Sequence, residues 1–241
     1  MLFLLISCLA ISDEEYRNKI EMLSSLDSAE FESESLFYFA SNGITILCPE
    51  ASVGDSTEIN GVTHRKQDKK GLEELIEAED WSGIETSCTS DIRDMKDLFL
   101  DSSFDGNIDS WDVSSVTNMK KMFYENTSFD NDLNSWDTSS VENMESMFAG
   151  ATSFNGDISG WDVSNVTTMY GMFRIANAFD SSIGNWDTSS VTNMDLMFAE
   201  AETFNQDLSG WCVEQIESEP SSFDLGALVW TEDRPVWGTC P

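Results

Sequence analysis

The stretch NSWDTSSVENMESMFAGATSFNGDISGWDVSNVTTMYGMF, Asn134 to Phe173, says nearly the same thing twice. Aligning the chain on its Trp-Asp dipeptide gives Trp111, Trp136, Trp161, Trp186 and Trp211, four consecutive intervals of 25 residues without a slip. Other positions keep the same phase: Val116, Val141, Val166 and Val191; Met119, Met144, Met169 and Met194; Phe123, Phe148, Phe173 and Phe198. A fixed period of this length marks a repeat in which one unit cannot bury its own apolar face and neighbours must supply the rest of the core.

Within one copy, Val141, Met144, Met147, Phe148 and Ala151 fall three or four residues apart, which is the spacing of one helical stripe. Ser139 stands three residues before Glu142, as in a capping box. The rest of the copy, Phe154 to Val163, is polar with isolated large apolar residues, so a strand there must be brief. The expectation is therefore one short helix and one short parallel strand per coil. The five Trp residues form a core ladder along the stack, each contributing on the order of 4 to 6 kcal/mol as an upper bound on burial.

The Asp after each buried Trp is the harder residue to explain. Asp112, Asp137, Asp162 and Asp187 must also stack, and unit charges about 5 Å apart repel by roughly 0.8 kcal/mol even at the dielectric of water. Two readings offset that cost. Each carboxylate accepts backbone N–H groups at the start of the following helix, or the column binds calcium, since hard cations take carboxylate oxygens. The repeat lacks the closely spaced, Gly-rich Asp loop of calcium-binding repeats, which favours capping. A second ladder, Asp132, Asp157 and Asp207, reads as a solvated face.

The bulk numbers bound the function. The 241 residues carry a net charge of −33, which repels phosphate backbones and anionic headgroups. Nucleic acid and membrane insertion are thus not expected, while the Asp ladders and the cysteines point to an extracellular protein or glycan as the partner of a monomer. Residues 1–12 form an apolar, signal-like leader too short to span a bilayer, with Cys8 in a lipidation-like context. Residues 13–40 read as an acidic arm with a helix near Tyr16 to Leu26, 41–85 as an N-terminal cap, 86–211 as the repeats and 212–241 as a C-terminal cap. In the cap, 42–48 and 58–64 alternate as strands and Lys70 to Ala78 reads as a helix.

Once Cys8 is set aside, Cys48, Cys88, Cys212 and Cys240 allow three pairings. Cys212 takes the place of the repeated Asp, and Cys88 takes that place ahead of the imperfect first copy. The two therefore sit at opposite ends of the stack, which leaves Cys48 with Cys88 and Cys212 with Cys240, each tying a cap to an outermost copy. Asn126 and Asn165 head glycosylation triplets.

FNGDISGWDVSNVTTMYGMF and FNQDLSGW resemble the BspA-like leucine-rich-repeat surface proteins, also described as the mycoplasma lipoprotein-associated repeat, DUF285. Asp105 and Asp130 depart from that pattern by standing where it has Asn. The resemblance implies a secreted or cell-surface protein used in adhesion or recognition, not an enzyme. The fold expected is a right-handed, leucine-rich-repeat-like α/β solenoid of 25-residue coils, each with a short helix and a short parallel strand, capped at both ends. The function expected is binding through an acidic repeat face, with no cofactor and no catalytic residues. The alternative is a calcium-stabilised structural protein.

Overall fold

The computed structural model describes residues 37–241. The leader, the Tyr16 to Leu26 helix and most of the acidic arm lie outside the described residues. Strand β1 (Tyr38–Phe39) pairs antiparallel with β2 (Ile46–Leu47), and between them Asn42 Oδ1 accepts the N–H groups of Ile44 and Thr45, both at 3.0 Å. Strands β3 (Ser56–Ile59) and β4 (Val62–Lys66) form a hairpin. Its turn is Asn60-Gly61 with φ of 53° and 82°, the left-handed pair a two-residue hairpin requires.

Helix α1 (Lys69–Glu77) starts at Asp68, whose carboxylate accepts from Gly71 N–H, and α2 (Trp81–Glu85) starts at Asp80 in the same way. Leu72 and Ile84, fully buried, anchor these helices to the main core. Strand β5 (Ser87–Cys88) runs parallel to β4, and the Cys48–Cys88 disulfide ties it to the residue following β2. These two helices and five strands, in a two-stranded and a three-stranded sheet, are all the regular elements among the described residues.

That inventory overturns the fold expected from the sequence. No helix and no extended strand occurs beyond Cys88, only isolated parallel bridges joining Asp94, Asn118, Asn143, Thr168 and Asn193 in turn. The right-handed, leucine-rich-repeat-like α/β solenoid of helix-plus-strand coils is therefore not the architecture of this chain.

The physical reason lies in the backbone of the segment read as a helix. Lys121 and Glu125, Ser146 and Gly150, Gly171 and Ile175, Leu196 and Glu200 all have φ between 54° and 74°. A right-handed helix cannot pass through a left-handed residue at every fourth position. Alternate N–H groups turn back locally: Met147, Ala149 and Ala151 donate to the carbonyls of Met144, Ser146 and Phe148. The others leave the copy altogether, Met144, Ser146, Phe148 and Gly150 donating to Thr168, Tyr170, Met172 and Arg174 of the next copy at 2.7 to 3.1 Å. The segment is a ribbon of turns, and its four-residue period puts apolar side chains at the spacing a helix would show. The capping box is absent too, since Glu142 N–H donates to Thr117 O and Ser139 N–H to Asp137 Oδ1.

The sequence period reappears as side-chain columns. Phe123, Phe148, Phe173 and Phe198 stack with centroids 5.3 to 5.8 Å apart. Phe129, Phe154, Phe179 and Phe204 form a second column at 5.7 to 6.0 Å. Trp136, Trp161, Trp186 and Trp211 stack at 6.1 to 6.3 Å with interplanar angles of 6° or less. These rings lie within the range of offset aromatic pairs, and all belong to one contiguous core.

The last copy closes differently. Trp230 meets Phe198 and Phe204 edge-on, at 74° and 89°, so the columns end without leaving a ring face open. Arg234 covers Trp230 at 4.3 Å and pairs with Asp224 at 3.0 Å. The Cys212–Cys240 disulfide holds this closing segment against the final Trp-bearing copy.

Candidate functional site

The residues from one Phe to the following Asp, Phe154 to Asp162 in one copy, carry most of the exposed polar groups that recur. Asp162 Oδ1 accepts both the N–H and the hydroxyl of Ser164, at 3.0 and 2.6 Å. Asp137 holds Ser139 in the same way, and Asp187 holds the N–H of Ser189. The sequence reading placed these carboxylates at helix starts, and no helix follows them. They close a turn onto their own residue two positions later, the geometry Asp favours in loops. The hydrogen bond from the Ser164 hydroxyl and then that from its N–H hold the Asp162 carboxyl below the usual range, against a small opposing effect of burial.

Asp112 differs from the other three. It is only 8% exposed, and its Oδ2 takes the Ser90 hydroxyl at 2.5 Å while Oδ1 takes Ser114. The β1–β2 hairpin covers it: Ile46 N–H donates to Ser110 O, and a cavity of about 320 Å³ lies between the hairpin and Trp111, Asp112, Ser135 and Asp137. Asp137, Asp162 and Asp187 are exposed, and the Oδ2 of each has no hydrogen-bond partner among the described residues. A carboxylate offers about four acceptor sites, so these oxygens are available to a ligand.

Two further acidic columns flank this one. Asp132 Oδ1 accepts Asp157 N–H at 2.8 Å, while Asp157 and Asp207 each close a turn onto Ser159 and Ser209. The other column was missed in the sequence. The side-chain oxygens of Asp105, Asp130, Asn155 and Asp180 accept the N–H of Asp130, Asn155, Asp180 and Asn205 respectively, at 2.7 to 3.1 Å. Asp and Asn interchange here because only a side-chain oxygen is needed. That interchange, visible at 105 and 130, was the available signal.

The Trp ladder is internal. Trp111 and Trp211 are fully enclosed and the others no more than 4% exposed. Each indole N–H donates to a carbonyl one copy back: Trp111 to Ile84, Trp136 to Ile108, Trp161 to Leu133, Trp186 to Ile158 and Trp211 to Ile183, at 2.8 to 3.3 Å. The indoles offer no exposed platform for a sugar ring or a base.

Among the described residues no group of three or more His, Cys, Asp or Glu side chains is placed to hold a metal ion. Asn126 is fully buried with its amide donating to Phe104 O at 3.0 Å, whereas Asn165 is exposed. His64 lies in β4 with its pKa lowered by burial, and no nucleophile among the described residues is hydrogen-bonded to it. No described helix is long and apolar enough to cross a membrane.

Comparison with curated proteins and with solved structures returns no match. The leucine-rich-repeat, BspA-like part of the resemblance finds no support there, and the turn ribbons contradict it. A family model does match over residues 71–177 and 156–228, more than half of the chain. With its Phe-Asx-x-Asp and Trp-Asp columns inside those limits, the chain belongs to the family described as Mycoplasma protein of unknown function, DUF285.

Proposed function

We propose that this protein is a non-enzymatic binding scaffold that recognises a basic surface of an extracellular protein through the exposed Asp137, Asp162 and Asp187 column. The observation that carries the reading is the unpartnered Oδ2 of each of these residues, set at equal steps on turns fixed by Ser139, Ser164 and Ser189. A fixed row loses little entropy on binding, which is the main cost of association. After Lys121 the only basic residues are Arg174 and Arg234, so the face carries a field that steers a cationic partner. Glycan recognition is less well supported, because the aromatic rings that stack on sugars are enclosed in the core.

The two disulfides support a secreted or surface location, since such bonds persist in oxidising compartments. Replacing Asp137, Asp162 and Asp187 together by Asn keeps the turn-closing oxygen and removes three charges. A Lys-rich probe protein measured by surface plasmon resonance should bind the wild type and lose affinity to the triple variant, with a shallower dependence on salt. Equal affinity and equal salt dependence would refute the assignment.

A further inference from the structure

We infer that the C-terminal end of the repeats is a backbone-pairing site for an extended, basic segment of a partner polypeptide. This end lies apart from the Asp column and does not rest on that column's function.

In every complete copy the ribbon donates alternate N–H groups forward. Leu196, Phe198 and Glu200 donate to the carbonyls of Ser221, Phe223 and Leu225 at 2.7 to 2.9 Å. The receiving segment has the same backbone form as its donor. Ser222 and Gly226 have φ of 53° and 84°, matching Leu196 and Glu200 at 60° and 61°. Its local bonds match as well, with Phe223, Leu225 and Ala227 donating to Pro220, Ser222 and Asp224. By that equivalence Ser222, Asp224 and Gly226 hold the forward-facing N–H groups, and none of the three donates a hydrogen bond among the described residues. The last copy thus ends in a row of three donors spaced as they are where one copy pairs with the next.

The surroundings say what fits the row. Leu225, Leu228, Val229 and Val236, all in the closing segment, are 62%, 89%, 50% and 63% exposed. Glu217, Glu219, Glu232 and Asp233 lie in the same segment, and its one cation, Arg234, is held by Asp224. A segment that supplies carbonyls to the donor row, apolar side chains to the patch and cations to the acidic rim satisfies all three features, as in strand addition at a sheet edge.

A second copy of the chain does not. Two such ends face each other with donors only. At the opposite end the two helices pack on the first copy through Leu72, Ile84 and Trp81, whose ring lies 5.5 Å from that of Phe104, and Lys69 Nζ takes Lys96 O at 2.7 Å, so the face a second copy would need is covered.

The test uses the full chain and an alternating Lys-Val octapeptide followed by fluorescence anisotropy, with amide hydrogen exchange as the second readout. Binding should slow exchange at Ser222, Asp224 and Gly226 and leave Leu196, Phe198 and Glu200, already bonded, unchanged. Leu228→Lys with Val236→Lys, both at exposed positions, should weaken the peptide by about tenfold or more, while Asn at 137, 162 and 187 leaves it unchanged. Absence of binding, or binding that leaves the three amides fast, overturns the proposal. Loss of binding in the triple Asn variant alone assigns the peptide to the Asp column and overturns it equally.

Discussion

Ser146 and Gly171 occupy the same place in successive turn ribbons, with φ of 54° and 57°, and exchanging their types gives a test whose sign depends on the backbone. An L-residue held in the left-handed region costs roughly 1 to 2 kcal/mol. Glycine escapes that cost but loses about 0.5 to 1 kcal/mol more chain entropy on folding. Ser146 has little else to lose, since its hydroxyl makes only a 3.5 Å contact with Tyr170 O. Ser146→Gly should therefore stabilise the protein by about 0.5 to 1 kcal/mol. Gly171→Ala should cost about 1 kcal/mol from φ alone, because its new Cβ would meet the Ser146 hydroxyl at 3.4 Å, an ordinary contact. Were this segment a helix, both signs would reverse, as Gly is the poorer helix former by about 1 kcal/mol against Ala. Urea unfolding followed by Trp fluorescence and far-ultraviolet circular dichroism reads both variants, with Tm moving by about 2 to 4 °C per kcal/mol for a chain of this size. Destabilisation by Ser146→Gly together with stabilisation by Gly171→Ala would refute the turn-ribbon description.

Trp161→Phe keeps a ring between Trp136 and Trp186 but removes the indole bond to the Leu133 carbonyl at 2.8 Å, which then holds only the Trp136 backbone N–H, and should cost about 0.5 to 1.5 kcal/mol in urea unfolding; a neutral result would show that only ring stacking matters. Asn155→Asp should be tolerated and Asn155→Ala should cost about 1 kcal/mol, because only the latter strands the Asp180 N–H. Equal losses from both would point instead to a role for the amide nitrogen. The Asp162 carboxyl titrates below its ordinary range when folded, so its contribution to stability is complete above that range and disappears as pH falls through the folded value. Asp162→Asn should accordingly flatten the acid end of a stability profile below about pH 4, meeting the wild type at low pH and lying below it near neutrality. With no such metal-holding group among the described residues, a chelator should leave Tm where it was, and a drop reversed by calcium would restore the metal-stabilised alternative.

How much of this was legible in the sequence follows from what each pattern can distinguish. The register of the Phe columns and of four of the five Trp was readable, because identical side chains at a fixed period need a neighbour of the same kind, whereas Trp111 packs on Phe99 and stands outside the Trp stack. So were the two disulfides, since Cys212 and Cys88 replace the repeated Asp at opposite ends. The helix was misread because Val141, Met144, Met147 and Ala151 fit a 3.6-residue stripe and a four-residue ribbon of turns equally well. Gly150 and Gly171, in the interior of a supposed short helix, were the evidence against it. The strand was misread for the opposite reason: its residues pair through side-chain oxygens, so no alternation of apolar residues was ever needed, while the lone bridges fall at Asn143 and its equivalents in the segment read as the helix.

The pairing of Trp with Asp resolves once the bonds of both are counted. In the turns, the carbonyls of Ile108, Leu133, Ile158 and Ile183 each accept the backbone N–H of the Trp three residues on and keep a second lone pair for another donor. An aromatic that carries a donor fills the core and also takes that second acceptor site, and the indole of the next copy does both. The chain must then turn at once to return to the surface, and an Asp that closes onto the Ser two residues later makes that turn with its own side chain. Because the carboxylates of Asp137, Asp162 and Asp187 are each bound within their own turn, part of the repulsion along the column is offset separately in each of those copies. The second oxygen stays in water, where the interaction is weakened by screening. The acidic face is in this sense a by-product of burying tryptophan without a helix, and an oxygen the fold does not consume is free for recognition.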